Sequence, residues 1–242
     1  MLDRTADRRS ERRYFTVSAI LLSALAIGGF APHYLMPDAF AGMFAPLTPL
    51  LAFHATLMAA WMAIFLIQSL LISAGRLAWH KKFGIAAIVI AVLIVPIGCM
   101  STLVPAERAV IRHTPDMLAR LNVVGLEITQ MLLFGGFVAI AVMKRNRVAV
   151  HKRLMLLATL SILPNAIVRL SFIGLLPLHS NWDVLVAWAV IILCFVAADS
   201  LRIGRLHLAF AGGAAVAISA IGIAQIISTG GPWVQFWMKS VG

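Results

Sequence analysis

The sequence predicts an all-α fold, a polytopic membrane bundle of seven transmembrane helices with the N-terminus cytoplasmic and the C-terminus periplasmic. Three observations predict it. Of the 242 residues, 62% are hydrophobic and 12% charged, more apolar surface than a water-soluble core of this size can hide. The apolar residues gather into seven stretches of at least 20 residues, each long enough at ~1.5 Å rise per residue to cross a ~30 Å hydrocarbon layer. The Lys and Arg residues between the stretches fall almost entirely on one side.

The spans are 14–36, 48–75, 83–104, 121–143, 154–176, 182–201 and 208–228. Backbone amides find no water inside lipid, so runs of this length form continuous helices. Alternating segments of about ten residues, the mark of a membrane β-barrel, are absent. The chain divides into a basic tail (1–13), the transmembrane domain (14–228) and a periplasmic tail (229–242) whose aromatics, Trp233, Phe236 and Trp237, belong at interfacial depth. The basic tail is expected to be disordered or to lie on the lipid surface, and 105–120 is the longest external loop.

Fifteen of the 20 Lys and Arg fall on the N-terminal side: Arg4, Arg8, Arg9, Arg12, Arg13, Arg76, Lys81, Lys82, Lys144, Arg145, Arg147, Lys152, Arg153, Arg202 and Arg205. Arg108, Arg112, Arg120 and Lys239 fall on the other, and Arg169 lies inside a span. This asymmetry places the N-terminus in the cytoplasm of a bacterial inner membrane. The net charge of +11 then faces anionic lipid, and no nucleic-acid partner is needed to explain it. Basic residues ahead of the first span and the Ala39-Phe40-Ala41 triplet imitate a secretory signal, but the apolar run is too long for one. Cys99 and Cys194 lie at different depths, too far apart for a disulfide, and read as small core residues.

An internal echo stands out. Arg76-Leu77-Ala78-Trp79-His80-Lys81-Lys82 opens span three, and Arg147-Val148-Ala149-Val150-His151-Lys152-Arg153 opens span five. Spans two and three, and spans four and five, thus read as a repeated helical hairpin. The alternative is that both loops are basic only because they are cytoplasmic. The seventh span, 208–228, is dense in small residues, Gly212 and Gly213 among them, which permits close packing on a neighbouring helix. That neighbour is in the same chain, in another copy, or in a larger membrane complex.

Ionisable groups at membrane depth are costly, and each needs a partner or a function. His54, Glu127 and Arg169 all fall ~9–10 Å below the outer interface. His54, Trp61 and Gln68 recur every seven positions; Ser161, Asn165 and Arg169 are four apart; Glu127 and Gln130 are three apart. Helical periodicity turns these sets toward a shared polar interior. They form either a structural Glu127–Arg169 pair with His54 nearby, or a substrate or proton site. His80 and His151 share a depth at the cytoplasmic starts of their spans, as two imidazoles holding a b-type haem do. A capping or snorkelling role at the headgroup boundary is the alternative. His54 has no in-span histidine opposite it, His33 being nearest in depth. No HExxH set or nucleotide loop occurs.

The run His54-x6-Trp61-x6-Gln68-x7-Arg76-x3-His80-x3-Gly84 resembles a pattern in a family of uncharacterised bacterial multi-pass membrane proteins loosely similar to b-type-cytochrome bundles. His54 with Trp61-Met62-Ala63 resembles the opening helix of membrane haem proteins related to protoporphyrinogen oxidase. His151-Lys152-Arg153-Leu154-Met155 resembles an element of small proteins linked to oxidase assembly. The likeness covers roughly 50–85 and 147–170. It implies haem b as cofactor, with His54, His80 and His151 as cofactor-binding ligands, and a redox or assembly role. The missing second in-span histidine departs from the full cytochrome pattern. A retinal protein is set aside, because 208–228 has no lysine.

Overall fold

The computed structural model describes residues 2–35 and 48–241, with the backbone alone for 2–8 and 33. Ala39-Phe40-Ala41 and the His33 side chain lie outside the described residues. The elements are α1 (Leu2–Leu35), α2 (Pro49–Ser73), α3 (Leu77–Ile111), α4 (Met117–Met143), α5 (Val148–Ser161), α6 (Pro164–Phe172), α7 (Asn181–Ile203), α8 (Leu208–Ser228) and α9 (Gly231–Val241). Seven spans are long and apolar enough to cross a membrane, α5 and α6 together forming the fifth. Ile85, Val92, Leu132, Val186, Leu193 and Ile223 are all more than half exposed on the outside of the bundle. In water such a surface would aggregate; in a multi-pass membrane protein it meets lipid.

Local signals set the helix ends. Thr48 accepts a hydrogen bond from the Leu51 amide ahead of Pro49 at the first turn of α2. Ser180 and Asp183 form a reciprocal capping box at the start of α7. Gly204 ends α7 at φ 68°, a conformation that lacks a steric penalty only for glycine.

Three sequence expectations change. The basic tail is helical and continuous with the first span, so α1 begins at Leu2. Its Glu11 carboxylate pairs with Lys152 and lies 3.7 Å from Arg202, which docks this end of α1 on α5 and α7. Most of the expected 105–120 loop is helix, because α3 runs on through Pro96 and Pro105 to Ile111. At ~1.5 Å per residue its 35 residues exceed the hydrocarbon thickness. The projecting end packs in a small second core of Ala106, Val110, Leu121, Val124 and Trp237. Here α9 departs from an anchoring belt: Trp237 is 8% exposed, and the Trp233 indole donates to the Leu121 carbonyl at 2.9 Å. Only Phe236 of the three aromatics faces outward. In the short 112–116 turn, Thr114 and Arg120 hydrogen-bond Asp116 and hold its carboxyl below the usual range.

The fifth span is the hub. In its apolar window 72% of residues are buried, against 17 to 39% for the other six spans. It packs on α1, α4, α7 and α8. It is also broken, ending as α5 at Ser161 and restarting as α6 at Pro164. Pro164 has no N–H to give the Leu160 carbonyl, and the Trp188 indole of α7 donates to that oxygen at 2.7 Å instead. The Ser161 hydroxyl donates to the Ala158 carbonyl at 2.8 Å. The break is thus satisfied from a neighbouring helix and from the chain itself.

At the basic end of the hub, Arg153 grips Asp199 with two hydrogen bonds of 2.6 and 3.0 Å and donates a third to the Ala149 carbonyl. Arg153 is 2% exposed and Asp199 0%. Arg202 adds a 2.7 Å bond to the same carboxylate. Of the two cysteines, both free, Cys99 is half-buried, but Cys194 is exposed on the outer surface and is no core residue.

Asp199→Asn should lower stability by ~3–5 kcal/mol, because it strands a buried guanidinium, whereas the double change Arg153→Met with Asp199→Leu should lose much less. Thermal unfolding of the three proteins in one detergent checks the order.

Candidate functional site

Helices α2 to α5 form a four-helix group. Each packs on the next, and the Trp61 indole of α2 closes the ring by donating to Thr159 Oγ1 of α5 at 3.3 Å. Trp61 also meets Phe134 of α4 edge to face, with centroids 4.7 Å apart. These two rings are almost fully buried and fill the middle of the group. Polar residues therefore collect above and below an aromatic plug.

On the basic side lie His80 and His151, the latter near enough for its charge to act on His80. Both are half-buried. The His151 Nδ1 pairs with the Ala141 carbonyl at 2.8 Å, which orients the ring and leaves Nε2 to act elsewhere. His80 lies beside the Gln68 backbone carbonyl, while its Nδ1 is buried without a hydrogen-bond partner. The Gln68 side chain packs near Gly84, where a Cβ would be 3.6 Å from its Nε2, and its Oε1 is also unpartnered. The Arg76–Gly84 run thus folds back onto the end of α2, through the Gly75 turn at φ 73°.

On the other side of the plug lie the remaining predicted residues. Glu127 of α4 accepts a 2.7 Å hydrogen bond from Thr102 of α3. Arg169 of α6 is within electrostatic range of Glu127 and of Tyr34, and its guanidinium lies 4.7 Å above the Phe30 ring. His54 of α2 packs against Gly98 of α3, where Met131 of α4 also arrives. Gly98 is one turn from Thr102, and Met131 one turn from Glu127, so His54 adjoins the Thr102–Glu127 pair. Gln130 is 0% exposed, and neither of its amide atoms has a hydrogen-bond partner. Counted along the α4–α5 hairpin from the His151–Ala141 contact, Gln130 is level with the break between α5 and α6. Asn165 is half-buried on α6, one turn from Arg169.

The polar stripes so meet inside the protein at two levels. Trp61 belongs to neither; it separates them. Residues that sequence reasoning missed are Thr102, Gly98 and Met131, whose types carry no signal in an apolar helix, and Asp199. The last was detectable, as a carboxylate just inside the end of an apolar span with Arg202 three residues on.

The small residues of α8 divide between two faces. A Cβ on Gly213 would collide with Leu157 and crowd Phe137, so this glycine serves packing within the chain. Gly212 and Gly222 face open space.

Fold and site together define a multi-pass helical membrane protein with a polar interior divided by an aromatic layer. Comparisons with protein-family models, with curated proteins and with solved structures found no match. The likeness to b-type-cytochrome bundles accordingly rests on the His54, His80 and His151 motifs themselves.

Thr102→Val deprives Glu127 of its hydrogen bond in an apolar setting and should cost ~1.5–3 kcal/mol. Thr102→Ser should restore most of it. Thermal unfolding of the two variants in detergent reads the difference.

Proposed function

We propose that this is a bacterial inner-membrane protein, N-terminus cytoplasmic and C-terminus periplasmic, that holds a b-type haem between His80 and His151 in a redox or oxidase-assembly role. One observation carries the reading: α3 and α5, which both pack on α4, each carry a half-buried histidine in the first turn, so that His80 and His151 sit at the same end of the four-helix group. The donor set suits the group. The Ala141 carbonyl fixes one ring from behind, as an outer partner of a metal-bound histidine does, and the other ring lies beside the Gln68 carbonyl with its Nδ1 buried. A haem held by His80 and His151 would supply one-electron redox chemistry. The protein's own residues orient the His151 ring through the Ala141 carbonyl and keep water out from the plug side through Trp61 and Phe134. Lys81 and Lys82 follow His80 in the sequence, and their positive charge at this end would favour the propionates of a bound haem.

A second reading has its own support. The Thr102–Glu127 hydrogen bond with Arg169 in range makes a polar constellation on the periplasmic side that suits a proton or a small polar molecule. An accessory role, in which the outward face of α8 packs on a larger complex or on a second copy, has its support in Gly212 and Gly222, which face open space among the described residues.

The protein purified in mild detergent without added cofactor should show a Soret band that sharpens on reduction. His80→Ala and His151→Ala should each abolish or shift it, while Glu127→Gln should leave it unchanged. A colourless protein, or a band insensitive to both histidines, refutes the haem reading. Loss of function in Glu127→Gln with normal folding and insertion would favour the second reading.

A further inference from the structure

We propose that His54 and Met131, converging on Gly98 at the end of the four-helix group away from His80 and His151, form a binding site for Cu(I). Glycine is an unfavourable residue for the middle of a helix, and at 98 its role is spatial. A Cβ there would lie 3.1 Å from His54 Cε1, 3.1 Å from Met131 Cγ and closer still to Met131 Sδ. The missing side chain lets an imidazole of α2 and a thioether of α4 reach the same point on α3. Both ring nitrogens of His54 are bonded to Cε1, so a nitrogen donor and the sulfur come within reach of a single ion. His54 Nδ1 is buried and has no hydrogen-bond partner among the described residues, a costly state for an imidazole nitrogen in an apolar interior.

The chemistry of the donors selects the ion. A neutral imidazole and a neutral thioether are soft ligands, the type that takes Cu(I). Calcium and magnesium demand cages of oxygen, and Glu127, one turn along α4 from Met131, is engaged by Thr102. Zinc in a closed site takes four nitrogen, sulfur or carboxylate ligands. Among the described residues no three of His, Cys, Asp or Glu converge on one point. Glu127 and Arg169 together contribute no net charge, so a monovalent ion is the cheapest cation for this part of the membrane. Met58, one turn along α2 from His54, places another thioether on the same face. The copper site is separate from the His80/His151 site and does not depend on it.

The test uses the full-length protein in detergent, titrated anaerobically with Cu(I) in competition with bicinchoninate. The wild type should take one equivalent, with sulfur and nitrogen both present in the first shell by X-ray absorption. Outer-shell changes alone weaken metal sites by about 10–100-fold, so loss of a donor in Met131→Leu or His54→Asn should weaken binding by more than about tenfold. Met131→Leu nearly conserves volume, which favours a folded protein, and any absorption at His80 and His151 should be unaffected by it. Wild-type affinity in Met131→Leu overturns the proposal. So does failure of the wild type to compete for Cu(I), or a first shell without sulfur, a readout that needs no variant.

Discussion

Enclosure of the fifth span governs the architecture. A helix surrounded by α1, α4, α7 and α8 cannot turn its polar groups toward water or headgroups. Each defect on it must therefore be answered by another helix. The proline break is answered by the Trp188 indole, the Arg153 guanidinium by Asp199, and the Thr159 hydroxyl by Trp61. Two of these bonds meet the hub at neighbouring residues, Thr159 and Leu160, and the third near its basic end, and together they hold α7 and α2 to it. Apolar surface between helices supplies little driving force in lipid, because acyl chains are equally apolar. Directional bonds of this kind then determine which helix stands where.

The same logic explains why the polar interior has two levels. The Arg-x-Ala-x-His echo at residues 76 and 147 puts a histidine at an equivalent register in two helices that start from the same end of the protein. Folded as successive hairpins, α2–α3 and α4–α5 bring those histidines to the same end of one interior. Nothing in the echo extends to the far level, where His54, Met131, Glu127 and Arg169 come from unrelated positions in the two hairpins. The two levels differ in chemistry accordingly: two half-buried histidines in basic sequence at one, and a mixed set of imidazole, thioether, carboxylate and guanidinium at the other.

Much of the fold was legible because long apolar runs and one-sided charge report membrane spans directly; span 208–228 coincides with α8 to the residue. Of the polar stripes, Trp61 from the seven-residue spacing and Gln130, three residues from Glu127, are almost fully buried. What escaped has physical causes. Hydropathy averages over windows, so it could not see that α3 continues beyond the lipid once Glu107, Arg108 and Arg112 enter. Proline does not announce whether a helix bends, continues or breaks: α3 passes through Pro96 and Pro105, whereas the fifth span parts at Pro164. A basic tail reads as surface whether it is disordered or helical, and only the Glu11–Lys152 pair distinguishes the two. Arg153 was counted with the topogenic charges, because its partner is 46 residues away and no local pattern links them.

The Trp61–Phe134 layer has a consequence for what can pass through this interior. Water molecules in file conduct protons by handing them along hydrogen bonds, and two buried aromatic rings packed edge to face interrupt such a file. The Trp61–Phe134 layer therefore parts the two polar levels with dry aromatic surface, and a proton held at one has no hydrogen-bonded route through these rings to the other.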